Sequence, residues 1–105
     1  MKYVMFYKSR PIEVDAFQLG YRPLIGEDWF WDAVSRNDII THNFGKAYGP
    51  AWCTIKSKDG TIYRADVGDW IAKLADNSII QYPDEVFKKF YQPMMENSHE
   101  QSSKM

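Results

Sequence analysis

Residues Thr61 to Tyr82 read TIYRADVGDWIAKLADNSIIQY, and the reversals inside this stretch decide the fold. Val67-Gly68-Asp69 makes a tight turn, because glycine accepts backbone angles closed to other residues and aspartate bonds back to nearby amides. Ala75-Asp76-Asn77-Ser78 turns the chain again. Between and beside these turns, Thr61–Asp66, Trp70–Leu74 and Ile79–Tyr82 read as short strands. Just upstream, Ala51–Ser57 is a further strand, joined to the next through Lys58-Asp59-Gly60, a strong hairpin signal. Three successive reversals predict an antiparallel meander. Alternation places Trp70, Ala72 and Leu74 on a core-facing side, and Trp52 on the opposite kind of face, with Thr54 and Lys56.

Working outward, Pro83 is followed by DEVFKKFYQ, whose Val86, Phe87, Phe90 and Tyr91 fall at i, i+1, i+4 and i+5. This predicts an amphipathic helix, stopped by Pro93. Toward the N-terminus, Pro11–Gln18 alternates Ile12, Val14 and Ala16 against polar neighbours and predicts a strand, with Tyr3–Tyr7 as its extension. GYRPLIG (20–26) is a loop. The helix that follows, DWFWDAV (28–34), has Asp28 as its cap or, with Glu27, as a first-turn acid favoured by the helix dipole, turns Phe30, Ala33 and Val34 inward, and ends near Arg36-Asn37. Asp38–His42 is a short strand and NFGKAYGP (43–50) a second loop. The expected architecture is α+β: a curled antiparallel sheet of about five strands with two packed helices. Residues 1–93 form one domain, and 94–105, polar and without periodicity, a disordered tail.

The chain has 105 residues, 45% hydrophobic and 16% aromatic, with a formal net charge of −1. So mild a balance argues against binding a nucleic-acid backbone through a broad basic face. Cys53 is the only cysteine, which rules out an internal disulfide and fits a reducing compartment. The N-terminal apolar run is broken by Lys8 and Arg10, unlike a signal peptide, and no run is long enough to span a membrane.

Three blocks taken in order resemble a group of small tailed-phage and prophage proteins. FYKSRPIEVDAFQ (6–18) is similar to the group's opening YYRKKPVVIEAFQ, ADVGDWI (65–71) to its A-x-x-GDWII block, and YPDEVFKKFY (82–91) to its closing KPDIFEKTYE. The likeness covers most of residues 6–91. It departs at Ser9-Arg10, where the group has two lysines, at Leu74-Ala75-Asp76-Asn77, and through residues 28–50. The resemblance implies a phage origin and a host bacterial cytoplasm as location; it supplies no catalytic residues.

The residues themselves offer little catalytic chemistry. A Cys53–His42 pair oriented by Asp69 would be the only nucleophile and base, but Cys53 shares a strand face with Ala51 and Ile55, which predicts a buried, inert thiol. His42 and His99 are the only histidines, and no Asp/Asn run has calcium-loop spacing, so no metal is expected. No phosphate-cradle pattern occurs, and no cofactor is expected.

The aromatics carry more. In DWFWDAV, consecutive side chains point about 100° apart on a helix, so three rings cannot share one buried stripe. One reading is that they wrap the helix. The sharper one is a contiguous partner-binding patch of Trp29, Trp31, Tyr48 and Trp52, since Trp and Tyr anchor interfaces. The leading expectation is a non-enzymatic phage accessory protein that binds and modulates a host protein, with inhibition of anti-phage defence as its natural form, or that pairs with a second copy of itself. A small-molecule binder that sequesters a nucleotide immune signal is the alternative, with Arg10, Arg22 or Arg64 beside a stacking ring. A minor virion component is the third.

Overall fold

The computed structural model describes residues 1–45 and 49–94; Tyr48 and the expected tail beyond Met94 lie outside them. The fold is α+β. In chain order come β1 (Lys2–Tyr7), β2 (Arg10–Gln18), α1 (Asp28–Ser35), β3 (Ile39–His42), β4 (Trp52–Lys56), β5 (Ile62–Ala65), β6 (Trp70–Lys73), β7 (Ile79–Tyr82), α2 (Asp84–Phe90) and β8 (Gln92–Pro93). They build a five-stranded antiparallel sheet, β7-β6-β2-β1-β8, and a separate three-stranded one, β3-β4-β5.

Tyr3–Tyr7 belongs to a strand of its own, not to an extension of β2. β1 folds back on β2 in register from Lys2 opposite Asp15 to Tyr7 opposite Arg10. The turn is Lys8-Ser9, with φ of 52° and 65°. Positive φ at both central residues is the two-residue geometry that matches strand twist, but it is ordinarily built from Asn-Gly. Lysine and serine give no such signal in the sequence. Each pays for the left-handed region, where a Cβ costs about 1–2 kcal/mol. Replacing Lys8-Ser9 by Asn-Gly should therefore raise stability by about 1 kcal/mol or more, read as a higher urea midpoint. A lower midpoint would show that the turn is not strained.

The expected meander breaks between β5 and β6. β4 pairs with β5, but β6 pairs with β2 on one side and β7 on the other. The reason lies in the Asp66–Asp69 turn. Gly68, at φ 96°, donates its N–H to the Leu19 carbonyl, while the Leu19 N–H bonds the Asp69 carbonyl. The end of β2 thus captures the turn and draws β6 alongside itself, with Gln18 opposite Trp70. The reversal passes the chain from one sheet to the other.

Three layers result. On one side of the large sheet, α1 and the inner face of the small sheet enclose Leu19, Phe30, Ile39, Cys53, Ile55 and Ile71. On the other, α2 closes over Tyr3, Val14, Ala16, Trp70, Ala72 and Phe87. β6 feeds both cores, Ile71 into the first and Trp70 and Ala72 into the second. That is why Trp70-Ile71-Ala72 is continuously buried where alternation alone would expose its middle residue.

α2 ends at Phe90, before Pro93 acts. Tyr91 is already extended, at φ −117° and ψ 147°. Gln92 and Pro93 then lie opposite Val4 and Tyr3, and the Met94 N–H bonds the Lys2 carbonyl, so order extends through the first residue assigned to the tail. Strand pairing, more than proline, terminates this helix. Among the described residues nothing pairs with β1 beyond Val4 on that side.

Candidate functional site

Residues from the three blocks 6–18, 65–71 and 82–91 converge at one point. Gln18 Nε2 donates to the Gly68 carbonyl at 3.0 Å and to Asp84 Oδ1 at 3.1 Å. Trp70 Nε1 donates to the same Asp84 oxygen at 2.8 Å. The knot pins α2 by its first residue to the end of β2 and the start of β6, which makes it an architectural device. The Trp70 indole, and then Lys88 at 3.3 Å, hold the Asp84 carboxyl below the usual carboxylate range. A carboxyl lowered on folding stabilises above its unfolded pKa and loses that contribution as pH falls through its folded one. Native protein should accordingly lose stability on acidification below about pH 4, and Asp84→Asn should show a shallower loss. Urea midpoints measured across that range would check this; equal slopes would remove Asp84 from the account.

The expected aromatic patch divides. Phe30 is fully buried, and Trp29 packs inward, its ring 5.8 Å from Phe17 and its indole N–H enclosed without a partner. Trp31 stays 42% exposed but is employed locally: its Nε1 donates to the Ile25 carbonyl at 2.9 Å and its ring meets Phe30 and Phe44 edge-on. The three consecutive rings therefore wrap α1 and fasten the preceding loop. Tyr48 lies outside the described residues. Trp52 stands apart on the small sheet, and among the described residues no ring contact joins it to Trp29 or Trp31.

Alternation along the small sheet builds a different surface. Ile39, Cys53, Ile55 and Ala65 turn inward, which leaves Ile40, His42, Trp52, Thr54, Lys56, Ile62 and Arg64 on the outer face. Register then sorts them. His42 stands opposite Trp52, and Ile40, Thr54 and Arg64 form one row across all three strands. The His42 imidazole stacks on the indole at 3.7 Å and 10°, while the Arg64 guanidinium lies 4.0 Å from the indole centroid. Because β3 and β5 flank β4 on opposite sides, the indole is clamped between them. His42 also shares a 3.1 Å hydrogen bond with Thr54, and Arg64 pairs with Asp66 at 2.9 Å. On the same face, Ile40, one row from the clamp, is 51% exposed, and Ile62, opposite Lys56 two rows away, is 60% exposed.

This arrangement joins residues that the sequence assigned to rival readings. Trp52 comes from the partner-binding set and Arg64 from the ligand-binding one. Arg10, beside the hairpin turn, and Arg22, in the loop after β2, are exposed and on other elements. The sequence offers His42 as a base for Cys53, yet the two face opposite sides of the sheet. Burial pushes the Cys53 thiol up to about 12, as suits an inert core residue.

Among the described residues, no helix is long and apolar enough to cross a membrane, and no three His, Cys, Asp or Glu side chains are grouped to hold a metal ion. No family model, curated protein or solved structure matches the chain.

Proposed function

We propose that this chain is a non-enzymatic bacteriophage accessory protein that docks on a host protein through the outer face of its small sheet and modulates that protein. The clamp at Trp52 carries the reading. With imidazole on one side and guanidinium on the other, neither face of the indole is free to stack on a base, which argues against nucleotide capture by Trp52 and Arg64. What remains available is a fixed aromatic rim at one end of an outer face that also carries the exposed Ile40 and Ile62. A rigid Trp and Arg on a face that also exposes apolar side chains has the chemistry of an interface anchor, and its order is already established before binding. The likeness of the three sequence blocks to phage proteins supplies the setting, and inhibition of an anti-phage defence system is the form of modulation we favour.

The test compares native protein with Trp52→Ala and Ile62→Asp as baits in host lysate, alongside phage growth on defended hosts. A host protein held by native bait should be lost from both variants, with affinity falling about 30-fold or more, as for a central anchor. Growth on defended hosts should fall with it. Equal capture by all three baits, or stoichiometric recovery of the chain in purified virions without a host partner, would overturn the reading.

A further inference from the structure

A cleft runs between the end of α1, the β4–β5 turn and the β6–β7 turn, on a different part of the surface from Trp52. It has two lobes that share Arg36, Asp38, Lys58, Asn77 and Ile79. The wider lobe, about 420 Å³, adds Trp29, Asp32 and Lys73. The narrower one, about 210 Å³, adds Lys56, Ser57 and Ser78. The wider lobe alone lies within the range of small-molecule sites, roughly 300–1,000 Å³.

Its lining is selective. Arg36, Lys56, Lys58 and Lys73 face two acids, Asp32 and Asp38, so the cleft concentrates positive charge in a chain whose formal net charge is −1. Asp38 is already engaged by Arg36 at 3.1 Å, and Lys58 Nζ bonds the Asp76 carbonyl. Asp76 itself has its Oδ1 held by Ser78. Among the described residues neither Lys56 nor Lys73 has an ion-pair partner. The narrow lobe therefore offers cations, the groups that pair with phosphate oxygens, while its Ser57 and Ser78 hydroxyls already donate to Asp59 and Asp76. The wide lobe offers an indole and Ile79, with the Asp32 carboxylate as an acceptor for ring N–H groups. Trp29 on α1 and Arg36, which caps its C-terminal end, are seven residues apart, two helical turns along one face, and both line the wide lobe.

We propose that this cleft binds a nucleotide, its phosphate in the narrow lobe among Lys56, Lys58 and Arg36 and its base in the wide lobe beside Trp29. The assignment does not rest on docking by the small sheet: Lys56 also stands on that sheet's outer face, opposite Ile62, but His42, Trp52 and Arg64 do not line the cleft. It departs from the sequence reading in its residues: Arg36 and Trp29 do what Arg10, Arg22 and Arg64 were expected to do.

The test is calorimetric titration of the full chain with each of the four ribonucleoside monophosphates, with adenosine and with inorganic pyrophosphate. At least one monophosphate should bind in the micromolar to millimolar range, more weakly as salt rises. Lys56→Ala/Lys58→Ala should reduce that affinity about tenfold or more, Lys58→Arg should retain it, and Trp52→Ala should leave it unchanged. Trp29→Phe should weaken the nucleotide while leaving pyrophosphate unaffected. No binding by any monophosphate, binding indifferent to the lysine pair, or pyrophosphate binding as tightly as nucleotide in both native and Trp29→Phe protein would overturn the assignment.

Discussion

Phe87→Ala is expected to cost about 3–5 kcal/mol, a large part of the roughly 5–15 kcal/mol that holds a domain of this size together. Phe87 is 1% exposed and lies at the centre of an aromatic cluster. It stacks on Trp70 at 4.2 Å and on Tyr91 at 4.7 Å, and meets Tyr3 edge-on at 5.1 Å. Truncation leaves a cavity that three large rings cannot close by small shifts, since each is held elsewhere. Trp70 bonds Asp84, Tyr3 lies in β1, and the Tyr91 hydroxyl bonds that of Tyr82 at 3.2 Å. Burial, with Tyr82 second, raises the Tyr91 pKa, consistent with a hydroxyl enclosed by this packing. Urea unfolding followed by tryptophan emission should show the midpoint fall steeply, and Phe87→Leu should recover part of the loss. A cost below about 1 kcal/mol would mean that α2 contributes little to the fold.

Phe30→Ala should cost a similar amount, about 3–5 kcal/mol, from the opposite side of the large sheet. Phe30 is fully buried, and its ring contacts those of Phe17, Trp31 and Phe44 at 5.4, 5.0 and 6.2 Å. The two variants should differ in their spectra. Phe87→Ala disturbs Trp70, whereas Phe30→Ala disturbs Trp29 and Trp31 and frees the loop that Trp31 fastens. Near-ultraviolet circular dichroism of the residual folded state separates these outcomes. Because β6 serves both cores, each variant should still unfold in a single step. Two resolved transitions would show that the layers are independent.

Most local elements could be read in the sequence because their causes are local. Ile79–Tyr82 and the inward stripe Phe30, Ala33 and Val34 follow from alternation or helical spacing, and both stand as read. The β1–β2 hairpin escaped because its strained turn uses Lys8 and Ser9, which announce nothing. The break in the meander depends on Leu19 bonding the Gly68 turn from 49 positions away, which no local window contains. The candidate site divides in the same way. Alternation correctly placed Trp52 on an outer face, but only cross-strand register brings His42 and Arg64 to it. The cleft is made from three turns distant in sequence, and their charges look like ordinary solvated lysines until the fold assembles them.

The brevity of β8 has a consequence for behaviour in concentrated solution. Past Val4, the margin of the large sheet retains backbone donors and acceptors that another chain could occupy, and Phe6, 62% exposed, lies along it. Lys8 and Arg10 stand at the end of that margin, and Lys88 and Lys89 line the groove beside it. A second copy that tried to add its own strand there would bring like charges together. Such like-charge crowding should disfavour edge-to-edge pairing, and neutralising Lys8, Arg10 and Lys89, which make no ion pair among the described residues, should make the chain prone to fibrous self-association while its fold stays intact.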